Sequence, residues 1–323
     1  MATAEQVKAL VRSHTEGDDD RFLAVAMQIA AHAARTGKEK LAQELQAIVD
    51  EAKKRRPLEV RPRSVPLVRP DSDLAGLVTA TFPQTRLVDM VLSQTTRDRL
   101  DRVVLEYKGA ARLSEHGLTP RRKLLLVGPP GSGKTMTASA LAGELGLPLL
   151  AVQLHVLISR FMGETAAKLH LVFDAMSRTR GVYLFDEFDA IGGRRVASND
   201  VGEVRRILNS FLQFLERDSS DSIVIAATNL FEMLDEALLR RFDDVIQYDL
   251  PTEEMAKSLI QNHLEAFDVN KLKWPSLLPA THGLSHAEIT RACGDAAKDA
   301  VLAEKAITTE TLSAALAQRK HGK

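Results

Sequence analysis

Between Leu87 and Leu250, short runs of uninterrupted apolar residues alternate with stretches whose apolar positions recur at helical spacing. The runs are Leu124 to Val127, Leu149 to Leu154, Val182 to Phe185, Ile223 to Ala227 and Val245 to Leu250. A strand covered on one face alternates apolar with polar, so runs without alternation predict strands of a parallel sheet buried on both faces. The intervening stretches predict helices near Ser93–Lys108, Met136–Leu145, Thr165–Ser177 and Val204–Leu215. In the first of these, Leu100, Val103, Val104 and Tyr107 share one side. Strands alternating with helices predict an α/β fold with a doubly wound sheet. Beyond Pro251 no strand pattern recurs. Helices are expected over Thr252–Ala266, His286–Glu304 and Thr309–Gln318, a small α-helical unit.

The first 55 residues carry a different pattern. Val7, Leu10 and Val11 mark one amphipathic helix, and Phe22, Val25 and Ile29 mark a second, which follows the acidic run Asp18-Asp19-Asp20. Leu41, Leu45, Ile48 and Val49 mark a third. Helices this short are unstable singly, so a small bundle is expected. His14 and His32 have no cysteine or acidic neighbours at ligand spacing and are read as ordinary surface or core histidines. Lys53-Lys54-Arg55-Arg56 then leads into Pro57, Pro62, Pro66 and Pro70, an extended, semi-rigid linker. The expected organisation is a helical module at 1–55, a linker at 56–85, an α/β unit at 86–250 and a helical unit at 251–323.

Composition narrows the partners. The 323 residues exceed what one core usually holds. Lysine plus arginine and aspartate plus glutamate number 43 each, so the chain has no general field for nucleic acid or an anionic membrane. The basic run near residue 55 lacks interleaved aromatics and reads as a solvated helix end. A lone cysteine, Cys293, excludes an internal disulfide and reads as a small buried hydrophobe. No apolar stretch approaches the ~20 residues that cross a bilayer, and the amino terminus has no secretory apolar core. A cytoplasmic protein without a membrane partner is expected.

The chemistry centres on Gly128-Pro129-Pro130-Gly131-Ser132-Gly133-Lys134-Thr135, which follows an apolar strand and precedes the helix that begins near Met136. Four residues between the first glycine and Gly-Lys-Thr, in the strand–turn–helix context the motif requires, make a P-loop. Glycine permits backbone angles at which several N–H groups converge on a phosphate, and the helix start adds positive potential. Lys134 is expected on the β- and γ-phosphates of a nucleoside triphosphate and the Thr135 hydroxyl on a magnesium ion. A second apolar strand ends in Asp186-Glu187. Asp186 is expected to hold magnesium, largely through water, and Glu187 to orient the attacking water.

From about Leu87 onward the chain resembles the AAA+ ATPases, of the AAA subgroup and bacterial type, and that resemblance implies a P-loop AAA+ module with a helical lid. The P-loop and Phe185-Asp186-Glu187 carry it first. Asn229, ending Ala226-Ala227-Thr228-Asn229, resembles the family's sensor 1, which contacts the γ-phosphate or the lytic water. Leu234 to Asp243 resembles the arginine-finger segment, so Arg240, Arg241 or both are implied to enter a neighbouring subunit's site. Family members usually space these two arginines further apart. Gly283 to Ile289 resembles the opening of the lid helix over base and ribose, with Ala287 at the sensor-2 position. Asp89 to Leu92 occupies the place of the adenine-contacting segment, which makes Met90 a candidate contact. Glu216-Arg217-Asp218 departs from the acidic-glycine turn often found there.

The resemblance also implies a mode of action. Ser159 to Thr165 is similar to the central-pore loop, with Phe161 and Met162 gripping an extended polypeptide, and residues 192–203 would form a second, polar pore loop. The reading this supports is a homo-oligomeric, hexameric ATPase that threads or unfolds a protein recruited through residues 1–55, with a separately encoded protease as a candidate partner. The alternative is a nucleotide-gated assembly factor that binds a partner without threading it.

Overall fold

The computed structural model describes residues 74, 76–154, 156–157, 164–189, 201–229 and 236–321, together with Ala30. The expected N-terminal bundle apart from Ala30, most of the linker, Phe161, Met162 and residues 192–200 of the second pore loop lie outside these residues, while 201–203 open a helix. The chain divides into two compact units, 1–65 and 66–323. The second unit contains the whole sheet.

Six strands form that sheet: β1 (Val78–Thr81), β2 (Lys123–Val127), β3 (Leu149–Val152), β4 (Val182–Phe185), β5 (Ile223–Thr228) and β6 (Asp244–Gln247). Their spatial order is β1-β3-β4-β5-β2-β6. Neighbours are parallel except β1, which runs antiparallel to β3. The helices within and around the sheet are α1 (Gln94–Lys108), α2 (Ala110–Glu115), α3 (Lys134–Leu145), α4 (Thr165–Arg178), α5 (Val201–Arg217) and α6 (Glu236–Leu239).

Successive residues of a strand face opposite ways, and here both faces are covered. Leu125, Val127, Tyr183, Phe185, Val224 and Ala226 pack with Leu169 and Phe173 of α4 and Phe211 and Leu215 of α5. Leu124, Leu126, Leu184, Ile223 and Ile225 pack on the other face with Leu100 and Val103 of α1 and Ala138 and Leu141 of α3. Two cores on one sheet account for the uninterrupted apolar runs.

The helical unit comprises α7 (Glu253–His263), α8 (Trp274–Thr281), α9 (His286–Leu302) and α10 (Thr309–His321). Its separate core joins Ala256, Ile260, Leu277, Ile289, Ala292, Leu312 and Leu316. Cys293 is fully buried there, and burial pushes its thiol up to about 12, so it is an inert packing residue.

Four elements lie outside the expectations: the short helices α2 and α6, and β1 and α8. β1 lies in the segment expected as linker, and it is held by edge pairing of Val78 with Val152 and Thr81 with Leu149. The sequence pattern predicts no helix between Thr252–Ala266 and His286–Glu304, yet α8 forms around Pro275 and Pro279. Pro275 falls in the first turn, where the missing N–H would have no intrahelical partner.

Candidate nucleotide site

The order of the sheet brings separate stretches of chain together at its carboxyl edge. Val127, the last residue of β2, lies level with Thr228 of β5 and Gln247 of β6, while Phe185 of β4 lies level with Ala226. Residues following β2, β4 and β5 therefore emerge side by side, at the edge where open α/β sheets bind ligands.

After β2 the chain enters the loop expected as a P-loop. Gly128, Gly131 and Gly133 have φ of 153°, 74° and 104°. At Gly128 a Cβ would come within 2.3 Å of the Tyr248 carbonyl oxygen, so no larger residue fits. Ser132 N–H donates to the Pro129 carbonyl at 3.3 Å, which curls the loop, and Pro130 is exposed at the curl. α3 starts at Lys134, and its first turn also carries Thr135 and Met136. Met136 is 44% exposed.

The Lys134 ammonium is buried and has three acceptors: Gly128 O at 2.7 Å, Pro129 O at 2.9 Å and Asn229 Oδ1 at 2.8 Å. Burial lowers its pKa, against the opposing charges of Asp186 and Asp189. Thr135 Oγ1 donates to Asp186 Oδ2 at 2.7 Å. The other Asp186 oxygen accepts from the Glu187 N–H at 2.9 Å.

Two aromatics aim these carboxylates. Phe185 and Phe188 are fully buried on either side of Asp186-Glu187, and both pack on Phe211, with centroids 5.0 and 4.9 Å away. With the rings facing the core, Glu187 is turned outward and exposed, at φ 52°. That left-handed angle is strained for a side chain with a Cβ, and such strain collects at functional sites.

Met90 lies behind the loop. It is buried, its methyl would lie 3.4 Å from a Cβ at Gly133, and its carbonyl accepts from Arg97 at 3.0 Å. Thr137 Oγ1 sits 2.6 Å from Tyr248 OH, 3.1 Å from Gly133 O and 3.9 Å from Met90 Sδ. The lid meets the loop directly, because the Ala287 N–H donates to Gly131 O at 3.0 Å.

Arg241 pairs with Glu216 at the end of α5 in its own chain, and Arg240 is exposed. Sequence reasoning misses Tyr248 and Asp189. Asp189 accepts from Thr228 Oγ1 at 3.1 Å and lies close enough to bias Lys134. A third acid within four residues of the strand end is its only signal.

These residues suit ATP and magnesium. Among the described residues no group of three or more His, Cys, Asp or Glu could hold a metal ion. The adjacent Thr135 hydroxyl and Asp186 carboxylate offer hard oxygen donors for an ion that keeps most of its own water, as magnesium does. Fold and site together define a P-loop nucleotide-binding module.

Comparison with known proteins places it further. Residues 124–250 match the family model described as "ATPase family associated with various cellular activities (AAA)". The chain is 36% identical to "Uncharacterized AAA family ATPase y4kL" of Sinorhizobium fredii, over 94% of this chain and 90% of that protein. It is 31% identical to "Proteasome-activating nucleotidase" of Methanoregula boonei and 35% identical to "ATP-dependent zinc metalloprotease FtsH" of Lancefieldella parvula. The alignments cover 76% and 70% of this chain but only 59% and 36% of those proteins. The FIGL-1 AAA domain shares the fold, with a TM-score of 0.62 at 22% identity, over 79% of this chain and 91% of that one. The chain belongs to the AAA family of ATPases, and ATP hydrolysis is its reaction. No helix among the described residues is long and apolar enough to cross a membrane.

Proposed function

We propose that this ATPase assembles into a ring, a homo-hexamer, and couples hydrolysis to the remodelling of a protein drawn through its centre. The observation that carries the reading is the convergence of Lys134, Asn229, Thr135 and Asp186 in one hydrogen-bonded group, with Glu187 turned out beside it. Gly128 to Thr135 would cradle the phosphates and Lys134 would exchange an acceptor for a phosphate oxygen. Asn229, the group Lys134 now holds, would contact the γ-phosphate or the attacking water. Thr135 and Asp186 would hold magnesium, which when bound offsets charge on the phosphate oxygens. Glu187 would orient the water, and Met90 would pack on the base side.

Arg240 and Arg241 would act in the neighbouring subunit's site, where an arginine finger supplies ~10³–10⁵ in rate. The pairing of Arg241 with Glu216 is compatible with this role. A half-exposed ion pair is worth at most about 1 kcal/mol, so exchanging it for a phosphate contact is cheap.

Remodelling rests on Phe161 and Met162 as pore residues and on the relatives named proteasome-activating nucleotidase and FtsH. Residues 1–55 would recruit the substrate, and a separately encoded protease is a partner of fitting kind. A cytoplasmic location accords with the single cysteine and the balanced charge. Phe161→Ala tests the coupling. Remodelling of a tagged, unfolded substrate should be lost while ATP turnover persists. A variant that keeps both would instead be a nucleotide-gated switch.

A further inference from the structure

The segment that carries Arg240 and Arg241 lies at the amino edge of the sheet, away from the phosphate loop. Asp243 is bonded to Lys123, the first residue of β2. From there β2 runs on for about 16 Å, at ~3.3 Å per residue, before the chain reaches Gly128. That is much further than an arginine side chain extends, so the cradle within reach of the pair is not that of its own chain.

Two anchors bracket the pair. On one side the Arg241 N–H donates to Leu238 O at 3.1 Å and the Phe242 N–H to Leu239 O at 3.3 Å, closing the end of α6, where Leu238 is fully buried. On the other side Phe242 is buried in the core that holds Phe211 and Leu215, and Asp243 clasps the start of β2 three times. Its N–H donates to Lys123 O at 2.8 Å, and its Oδ2 accepts the Arg122 N–H and the Lys123 N–H, each at 2.9 Å. One charged oxygen thus holds two N–H groups of a strand that β5 and β6 already fix on both sides. The same strand start is tied to the turn after α5, because the Arg122 guanidinium donates to the Asp218 carboxylate and to the Asp218 carbonyl oxygen.

We infer that Asp243 is a positioning residue for ATP hydrolysis: its carboxylate locks the Arg240–Arg241 segment to the start of β2, so that the pair meets the site of a neighbouring copy in one fixed pose. The inference rests on the reading of Arg240 and Arg241 as fingers for that neighbour. A guanidinium helps phosphoryl transfer only where it meets the developing charge, and a misplacement of about 1 Å can cost ~10²-fold in rate. Asp243 stands at the far end of β2 from its own cradle. Losing its carboxylate therefore leaves nucleotide binding intact and slows the chemistry next door.

The test measures magnesium ADP affinity by calorimetry and ATP hydrolysis by single turnover, both on the full chain. Asp243→Ala stands beside Asp243→Asn, the arginine pair variant Arg240→Ala/Arg241→Ala, and the triple variant. Asp243→Ala should bind ADP within about twofold of the parent and hydrolyse ATP about tenfold more slowly. Asp243→Asn, whose amide oxygen still accepts the two N–H groups, should recover most of that rate, and it covers an alanine variant that does not fold. Because Asp243 acts only through the arginines, the triple variant should be no slower than the arginine pair variant. Parental turnover in Asp243→Ala while the arginine pair variant is slow overturns the inference. So does an Asn variant as slow as the alanine one, a further slowing in the triple variant, or ADP affinity that falls with the rate. Failure of the finger reading looks different: the arginine pair variant would itself hydrolyse ATP at the parental rate, and the inference would fall with it.

Discussion

One buried hydrogen bond behind the phosphate loop lends itself to a quantitative test. Thr137 Oγ1 and Tyr248 OH lie 2.6 Å apart, with Tyr248 4% exposed and Thr137 fully buried. Burial raises the Tyr248 pKa to about 12, so its hydroxyl keeps its proton throughout any practical range. The two partners are not equivalent. Thr137 Oγ1 has a second acceptor, Gly133 O at 3.1 Å, and that oxygen also receives the Thr137 N–H at 2.9 Å. In Tyr248→Phe the threonine hydroxyl keeps a partner, so only one net bond is lost, about 1 kcal/mol. In Thr137→Val the same bond goes and the tyrosine hydroxyl is stranded in the core, adding about 1–3 kcal/mol for a total of about 2–4. Valine and threonine are both β-branched, so helix propensity barely changes. The double variant removes the stranded hydroxyl and should be more stable than Thr137→Val alone. Urea unfolding followed by circular dichroism measures all four proteins of this cycle. Equal costs for the two single changes, or a double variant as unstable as their sum, would refute the assignment of Tyr248 as a hydroxyl with no partner but Thr137.

The same geometry sets other expectations. Lys134→Ala should weaken ATP binding by at least tenfold in equilibrium titration, since a charge-assisted bond to phosphate is worth about 1.5–3 kcal/mol. Glu187→Gln should bind ATP with near-parental affinity while phosphate release falls to background. Glu187→Gly should be equally inactive yet melt no lower than the parent, because glycine relieves the strain at φ 52°. Glu106 is buried, which raises its pKa, but hydrogen bonds from Arg102 and the Arg121 N–H and the charges of both arginines bring it below its ordinary 4.5. A depressed carboxyl stabilises the fold above that value and ceases to do so as pH falls through the folded pKa. Glu106→Gln should therefore melt lower than the parent at pH 7, and the gap should close below pH 4.5.

The legible parts of the fold are those where two constraints coincide. β2, β4 and β5 stand out because both faces of the sheet are covered, which forces every position to be apolar. β1 offers no such signal: of Val78-Thr79-Ala80-Thr81 only Val78 is buried, and an edge strand needs little more than backbone partners. α8 is hidden by Pro275 and Pro279, which interrupt the helical pattern although the first turn tolerates proline. In the site, Lys134, Thr135 and Asp186 are legible because spacing and neighbouring strands restrict what they can do, whereas Asn229 stands out only through the family resemblance, since an asparagine at a strand end otherwise reads as a turn residue. Tyr248 is not, because a tyrosine ending an apolar strand reads as core. Only the structure reveals that its hydroxyl meets Thr137.

Core and site are here one arrangement. The order β4-β5-β2 sets Phe185 beside Ala226 and Val127 beside Thr228, so the residues just beyond each strand must emerge together. Lys134 then spans the gap from the loop after β2 to Asn229 after β5. Thr135 spans the gap from α3 to Asp186 after β4. The same Phe185 and Phe188 that fill the core against Phe211 fix the direction of the two carboxylates between them. A Phe188→Ala cavity would thus cost more than the ~3–5 kcal/mol of a lost core ring. It would also free Glu187 to relax from its strained angle, with turnover falling faster than stability. Position, in this protein, is supplied by hydrophobic packing, and the polar residues only complete it.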